Sequence, residues 1–139
     1  MKLRHIIFTA ALLALVSCSN TSSTNTTQTS PIVGKWNWVN SVGGFAGWTL
    51  TPKSEGYTCS VSFSDQSDYS IYRNDSLMQS GFYTVATSNG ISHVSLPASS
   101  EMIFTGRVVF SGKMTISHDS LMISQDSISD GYTSLFIHK

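Results

Sequence analysis

The chain is short of charge. Charged side chains make up 12% of its 139 residues, against about 25% in an average soluble domain. Eight basic and eight acidic residues balance to a formal net charge of zero. That excludes the clustered basic surface a nucleic-acid partner would need. Cysteine is scarce, with only Cys18 and Cys59, and proline occurs three times. There is no apolar run of about 18 residues, which excludes a spanning helix. No stretch of usable length repeats apolar residues at helical spacing. Also missing are a Gly-x-Ser-x-Gly elbow, a His-Glu-x-x-His pair, paired cysteines and a glycine-rich phosphate loop. The polar load is carried instead by 26 serines and 14 threonines. Hydroxyl side chains suit the wet face of a strand better than that of a helix.

The first segment, residues 1–17, reads as an address. Lys2 and Arg4 precede an apolar run from Ile6 to Val16, too short to cross a bilayer at about 20 residues per span. The run ends in Leu15-Val16-Ser17-Cys18. This order resembles the bacterial lipobox, and the resemblance implies that Cys18 carries acyl chains after cleavage before it. Buried acyl methylenes contribute about 0.8 kcal/mol each, so several chains hold firmly. The expected partner is therefore a membrane reached through Cys18, in the bacterial cell envelope and at the outer membrane. The competing reading is an ordinary secretory signal with a chance cysteine. Removing Lys2 and Arg4 leaves six basic against eight acidic residues, a net −2. Residues 18–30 follow as a lipidated cysteine and a tether. Ser19 to Ser30 holds no apolar and no charged residue and cannot bury enough surface to offset chain entropy.

Residues 31–139 read as one domain. Its focus is Ile32 to Pro52, which holds all three tryptophans. Strict alternation predicts a strand that points Trp36, Trp38 and Asn40 one way and Lys35, Asn37 and Val39 the other. Trp48 to Thr51 predicts a second, stopped by Pro52. Tyr57, Cys59, Val61 and Phe63 alternate with Thr58, Ser60, Ser62 and Ser64, the clearest half-buried strand of the chain. Asn74-Asp75, Asn89-Gly90 and His118-Asp119 predict hairpin turns. Further strands are expected at Gly81–Thr87, Ile91–Leu96, Ile103–Ser111, Lys113–Ser117, Leu121–Ser124 and Tyr132–His138. Strand signals at this spacing indicate an all-β sandwich or barrel. A closed, antiparallel up-and-down meander is favoured because closure removes exposed edges.

Gly34-Lys35-Trp36, Gly43-Gly44-Phe45 to Pro52, Gly81-Phe82-Tyr83 and Asp130-Gly131-Tyr132 resemble the lipocalin-like lipoproteins of Bacteroidetes. The resemblance implies a small barrel of about eight strands. Gly34-x-Trp36 resembles the opening lipocalin motif, which implies that Trp36 plugs the closed end. The second lipocalin motif is not found, and no clear late arginine covers Trp36; Lys139 or Arg107 stands in for it. Members of that group mostly lack an assigned activity, so the resemblance transfers a fold and no ligand.

Two functions stay open. In one, a cavity at the open end binds a small apolar or amphipathic molecule without covalent chemistry, lined by Trp38, Trp48, Tyr57 and Tyr83. In the other, the aromatics fill a solid barrel and the surface binds a protein, as a hydrolase inhibitor or an envelope-complex subunit. An eight-stranded barrel is just wide enough for side chains, so both are physically open. No enzyme activity, cofactor or metal is expected. His93 and His138 can meet only if their strands pair, and two histidines without a third ligand do not make a metal site. His118 sits in a polar turn. Cys59 lies on a buried strand face and reads as an inert thiol.

Overall fold

The computed structural model describes residues 30–126 and 128–139. The leader, Cys18 and nearly all of the tether lie outside these residues. The described chain is all-β. In order it forms β1 (Gly34–Gly43), β2 (Trp48–Leu50), α1 (Pro52–Glu55), β3 (Cys59–Phe63), β4 (Asp68–Arg73) and β5 (Ser76–Phe82). It continues with β6 (Thr84–Ser88), β7 (Ile91–Ser95), α2 (Ser99–Met102), β8 (Gly112–Ser117), β9 (Ser120–Ser124) and β10 (Tyr132–His138). The described strands number ten, where about eight were expected.

All pairings are antiparallel, and the strands join in the order β5-β4-β3-β1-β10-β9-β8-β7-β6. The first and last strands thus lie side by side, and the sheet curls as a barrel-like meander. β1 is the hub. Its first half pairs with β3 on the edge where its second half pairs with β2, while β10 runs along its other edge. Turns fall where the sequence places them. Asn74, Asp75, Asn89 and Gly90 all take positive φ, as two-residue hairpins of right-handed twist require.

Among the described residues the barrel does not close by hydrogen bonds. β5 and β6 end the sheet, although only Tyr83 separates them. Tyr83 is pinned elsewhere. Its N–H donates to the Ser67 carbonyl at 2.9 Å, its hydroxyl to the Ser64 carbonyl at 2.8 Å, and its ring meets Phe63 edge-on. The chain therefore turns away before β6 can lie against β5.

Two expectations are corrected here. Alternation along β1 fails after Trp38, where a bulge shifts the register. Ser41, not Asn40, then faces inward, fully buried and bonded to Ser134 Oγ at 2.7 Å. Also, Ile103–Ser111 is not a strand. The β7–β8 connection, residues 96–111, folds into the concave side of the sheet, where Phe104, Val108, Val109 and Phe110 are buried. Its apolar run resembles a strand, but several of its backbone N–H groups are satisfied by side chains rather than by a neighbouring strand. The Val109 N–H donates to Ser134 Oγ at 2.8 Å. Those of Phe110 and Ser111 donate to Glu101 Oε1 at 3.0 and 2.9 Å. Ser111 Oγ accepts from the Leu96 N–H and ties the two ends together. The segment is a compact loop closed at its neck.

Candidate functional site

The inward aromatics form one packed column. Trp38 is 3% exposed, donates through Nε1 to Ser41 Oγ at 2.9 Å, and stacks on Tyr57 with centroids 5.8 Å apart. Tyr57 meets Phe104 at 5.0 Å, Phe104 meets Phe110 at 5.9 Å, and Phe110 meets Phe136 at 6.0 Å. Two of these rings belong to residues 96–111. The loop thus occupies the concave side where a barrel cavity would lie. Tyr83 is also buried, at the opposite end from Trp48 and against Phe63. Of the four expected ligand-lining residues, only Trp48 lines a cleft described below. Trp36 is fully packed at the end where the domain begins, its indole N–H donating to the Ile32 carbonyl at 2.7 Å. The ring against it is His138, at 4.9 Å. Arg107 does not fill that place. Arg107 lies at the far end of the barrel, on Glu55.

That far end carries the cleft. β1 is ten residues long, about 30 Å at roughly 3.3 Å per residue, and it separates the Trp36 end from the β1–β2 hairpin. Gly44, at φ 72°, shapes this hairpin. A β-carbon there would stand 2.8 Å from the Tyr132 hydroxyl, so glycine lets the Tyr132 ring pack beneath the turn. The hairpin raises Phe45 and Trp48 into solvent, 93% and 62% exposed. Thr51 then caps α1 through a reciprocal bond with Ser54, Pro52 opens it, and Gly56 ends it in the left-handed conformation. This stop places Glu55 to pair with Arg107 at 3.3 Å. Trp48, Leu50, Glu55, Arg107 and Tyr132 enclose about 210 Å³. Its lining combines aromatic and apolar side chains with an ion pair. The Arg73 guanidinium lies 4.4 Å over the Tyr57 ring. Burial raises the Tyr57 pKa, reinforced by the Glu55 carboxylate and opposed by Arg73 and Arg107.

A second, shallower cleft of about 320 Å³ opens beside the loop neck. His93 Nδ1 and Asp126 Oδ2 stand 2.8 Å apart on its wall. His93 therefore does not meet His138; β7 and β10 are not neighbours. Glu101 lines the same cleft. Its Oε1 is bonded, but its Oε2 is buried with no partner among the described residues. Burial raises its pKa, opposed by the Phe110 and Ser111 bonds. No group of three or more candidate metal ligands occurs among the described residues. Cys59 is buried, and burial pushes its thiol far above the ordinary range, which disfavours the reactive thiolate.

Phe45, Glu55, Arg107 and Tyr132 were not singled out from the sequence as site residues. Glu55 had a signal in Thr51-Pro52, a helix start directly after a strand. Arg107 had none, because it stands on an irregular loop whose path no periodicity records. No family model, curated protein or solved structure matches the chain.

Proposed function

We propose that this is a lipid-anchored interaction module of the bacterial cell envelope, held at the outer membrane through Cys18. In this reading the barrel is solid and the β1–β2 hairpin engages a protein partner. The observation that carries it is the exposure of Phe45 and Trp48 together on one hairpin. Large aromatics left in solvent at a hairpin turn suit partner contact, because their rings bring a large area with few rotatable bonds. Ser30, the first described residue, leads into β1 at the Trp36 end, and the hairpin stands at the other end of that strand. The adjoining cleft of about 210 Å³ falls below the roughly 300–1,000 Å³ of small-molecule pockets. It suits one side chain of a partner. A second reading keeps a small amphipathic ligand at the same cleft, favoured by the Glu55–Arg107 pair facing Trp48 and Leu50. Both readings concern binding without turnover.

The test is site-specific photocrosslinking in the source cells. A photoreactive residue replacing Phe45 should give a discrete protein adduct, lost when Trp48→Ala is added. The same residue at Thr115, exposed on β8, should give none. Adducts of equal yield from both positions would overturn the proposal.

A further inference from the structure

The two ends of the sheet differ as binding edges. β5 is interrupted, since its register against β4 slips by one residue at Met78. On its concave side Gln79 is engaged with Tyr69 and Ser99. β6 has no such guard. All five of its residues are exposed, and its pairing with β7 is regular throughout. From Thr84 to Ser92 there is no charged residue and no proline. Natural edge strands are ordinarily blunted by lysine, proline, bulges or a covering segment. This one has none of these devices among the described residues.

Its free hydrogen-bonding groups can be assigned. Asn89-Gly90 is a two-residue turn, so Ser88 and Ile91 form the hydrogen-bonded pair next to it. Such pairs alternate along an antiparallel ladder. Thr84 and Ala86 therefore bond inward to β7, and Val85 and Thr87 turn their N–H and C=O groups to the open edge. No other described element pairs with that edge.

An edge of this kind accepts a strand, and the sequence selects which. Thr84-Val85-Ala86-Thr87-Ser88 is close to self-complementary about Ala86. An antiparallel copy centred there sets Val85 against Thr87 and Thr87 against Val85. Each is then a hydrogen-bonded pair, so four bonds form at the residues whose groups are free. β-branched residues meet across the seam, a favourable cross-strand combination. Ala86 meets Ala86 on the two-fold axis with little bulk. With no charge on the strand, two copies meet without repulsion, while a charged partner strand would find nothing to neutralise it. We propose that β6 pairs with β6 of a second copy of this chain, forming a two-fold dimer with a sheet continuous across the axis.

The register makes the test specific. Ala86 is a non-hydrogen-bonded position on the axis, where Cα atoms stand about 4.5 Å apart, within disulfide reach. The full chain carrying Ala86→Cys should give a covalent dimer under mild oxidation, above the background of the parent. Val85→Cys and Thr115→Cys should not. Adding Thr87→Pro removes an outward N–H, tolerated at an edge, and should abolish the crosslink while circular dichroism stays unchanged. A crosslink from Ala86→Cys no stronger than from Thr115→Cys, or one that survives Thr87→Pro, would overturn the proposal.

Discussion

Trp38 and Trp48 stand ten residues apart on one hairpin and have opposite fates. Trp38 is 3% exposed and Trp48 is 62% exposed. Both sit at positions that face the concave side, since Ser41 pairs with Leu50 and Gly43 with Trp48. The difference lies in what arrives from elsewhere. Phe104 and Phe110, from the β7–β8 loop, complete the column against which Tyr57 and Trp38 stack. Nothing among the described residues covers the outer face of Trp48. An inward-facing aromatic therefore marks a cavity only if no distant segment fills the space, and here one does.

The largest effects should come from the filled region. Phe110→Ala should cost about 3–5 kcal/mol, a large part of the roughly 5–15 kcal/mol of a domain this size. Trp38→Ala should fall in the same range, and so should Trp36→Ala. Denaturant melts of the three variants check this. A Trp38→Ala cost far below that of Trp36→Ala would indicate slack around Trp38. Trp48→Ala, by contrast, should shift stability by no more than about 0.5 kcal/mol.

A smaller effect tests how the loop is held. Ser134 Oγ accepts the Val109 N–H and also bonds Ser41 Oγ, all three groups being buried. Ser134→Ala leaves that N–H unpaired and should cost about 1–3 kcal/mol. Glu101 tests the same loop through pH. Its pKa is raised by burial, so in the folded state it binds its proton more tightly than in the unfolded chain. Its contribution is therefore fully present below its ordinary pKa of 4.5, and it is lost as pH rises through the raised value. Glu101→Gln keeps an acceptor for the two N–H groups and removes the titration. The stability difference between parent and Glu101→Gln should shift toward the variant on going from acid to neutral pH. A flat difference would mean that Glu101 titrates as in the unfolded chain. A comparably small effect belongs to the cleft wall, where Arg107→Ala should change stability by less than about 1 kcal/mol, as for exposed ion pairs.

How much of this was legible in the sequence depended on whether the information was local. Alternation in Tyr57 to Phe63 placed Cys59, Val61 and Phe63 in the core, although Ser60 on the other face is buried as well, and Asn74-Asp75 and Asn89-Gly90 placed two hairpins. The bulge after Trp38 was not legible, because one extra residue leaves no mark in composition. Nor was the loop. Val108-Val109-Phe110 has the look of a buried strand, and the distant acceptor Ser134, with Glu101 earlier in the same loop, makes another course available to its backbone. The column of rings was visible as a wealth of aromatics. Whether it enclosed space depended on that loop.

The central claim is that the interior is filled by the chain itself and that binding takes place outside it. Titration of the parent protein with a fluorescent fatty-acid probe, read by energy transfer from tryptophan, tests this directly. No saturable transfer is expected. One-to-one saturable binding that Trp38→Ala abolishes and Trp48→Ala leaves intact would contradict the account.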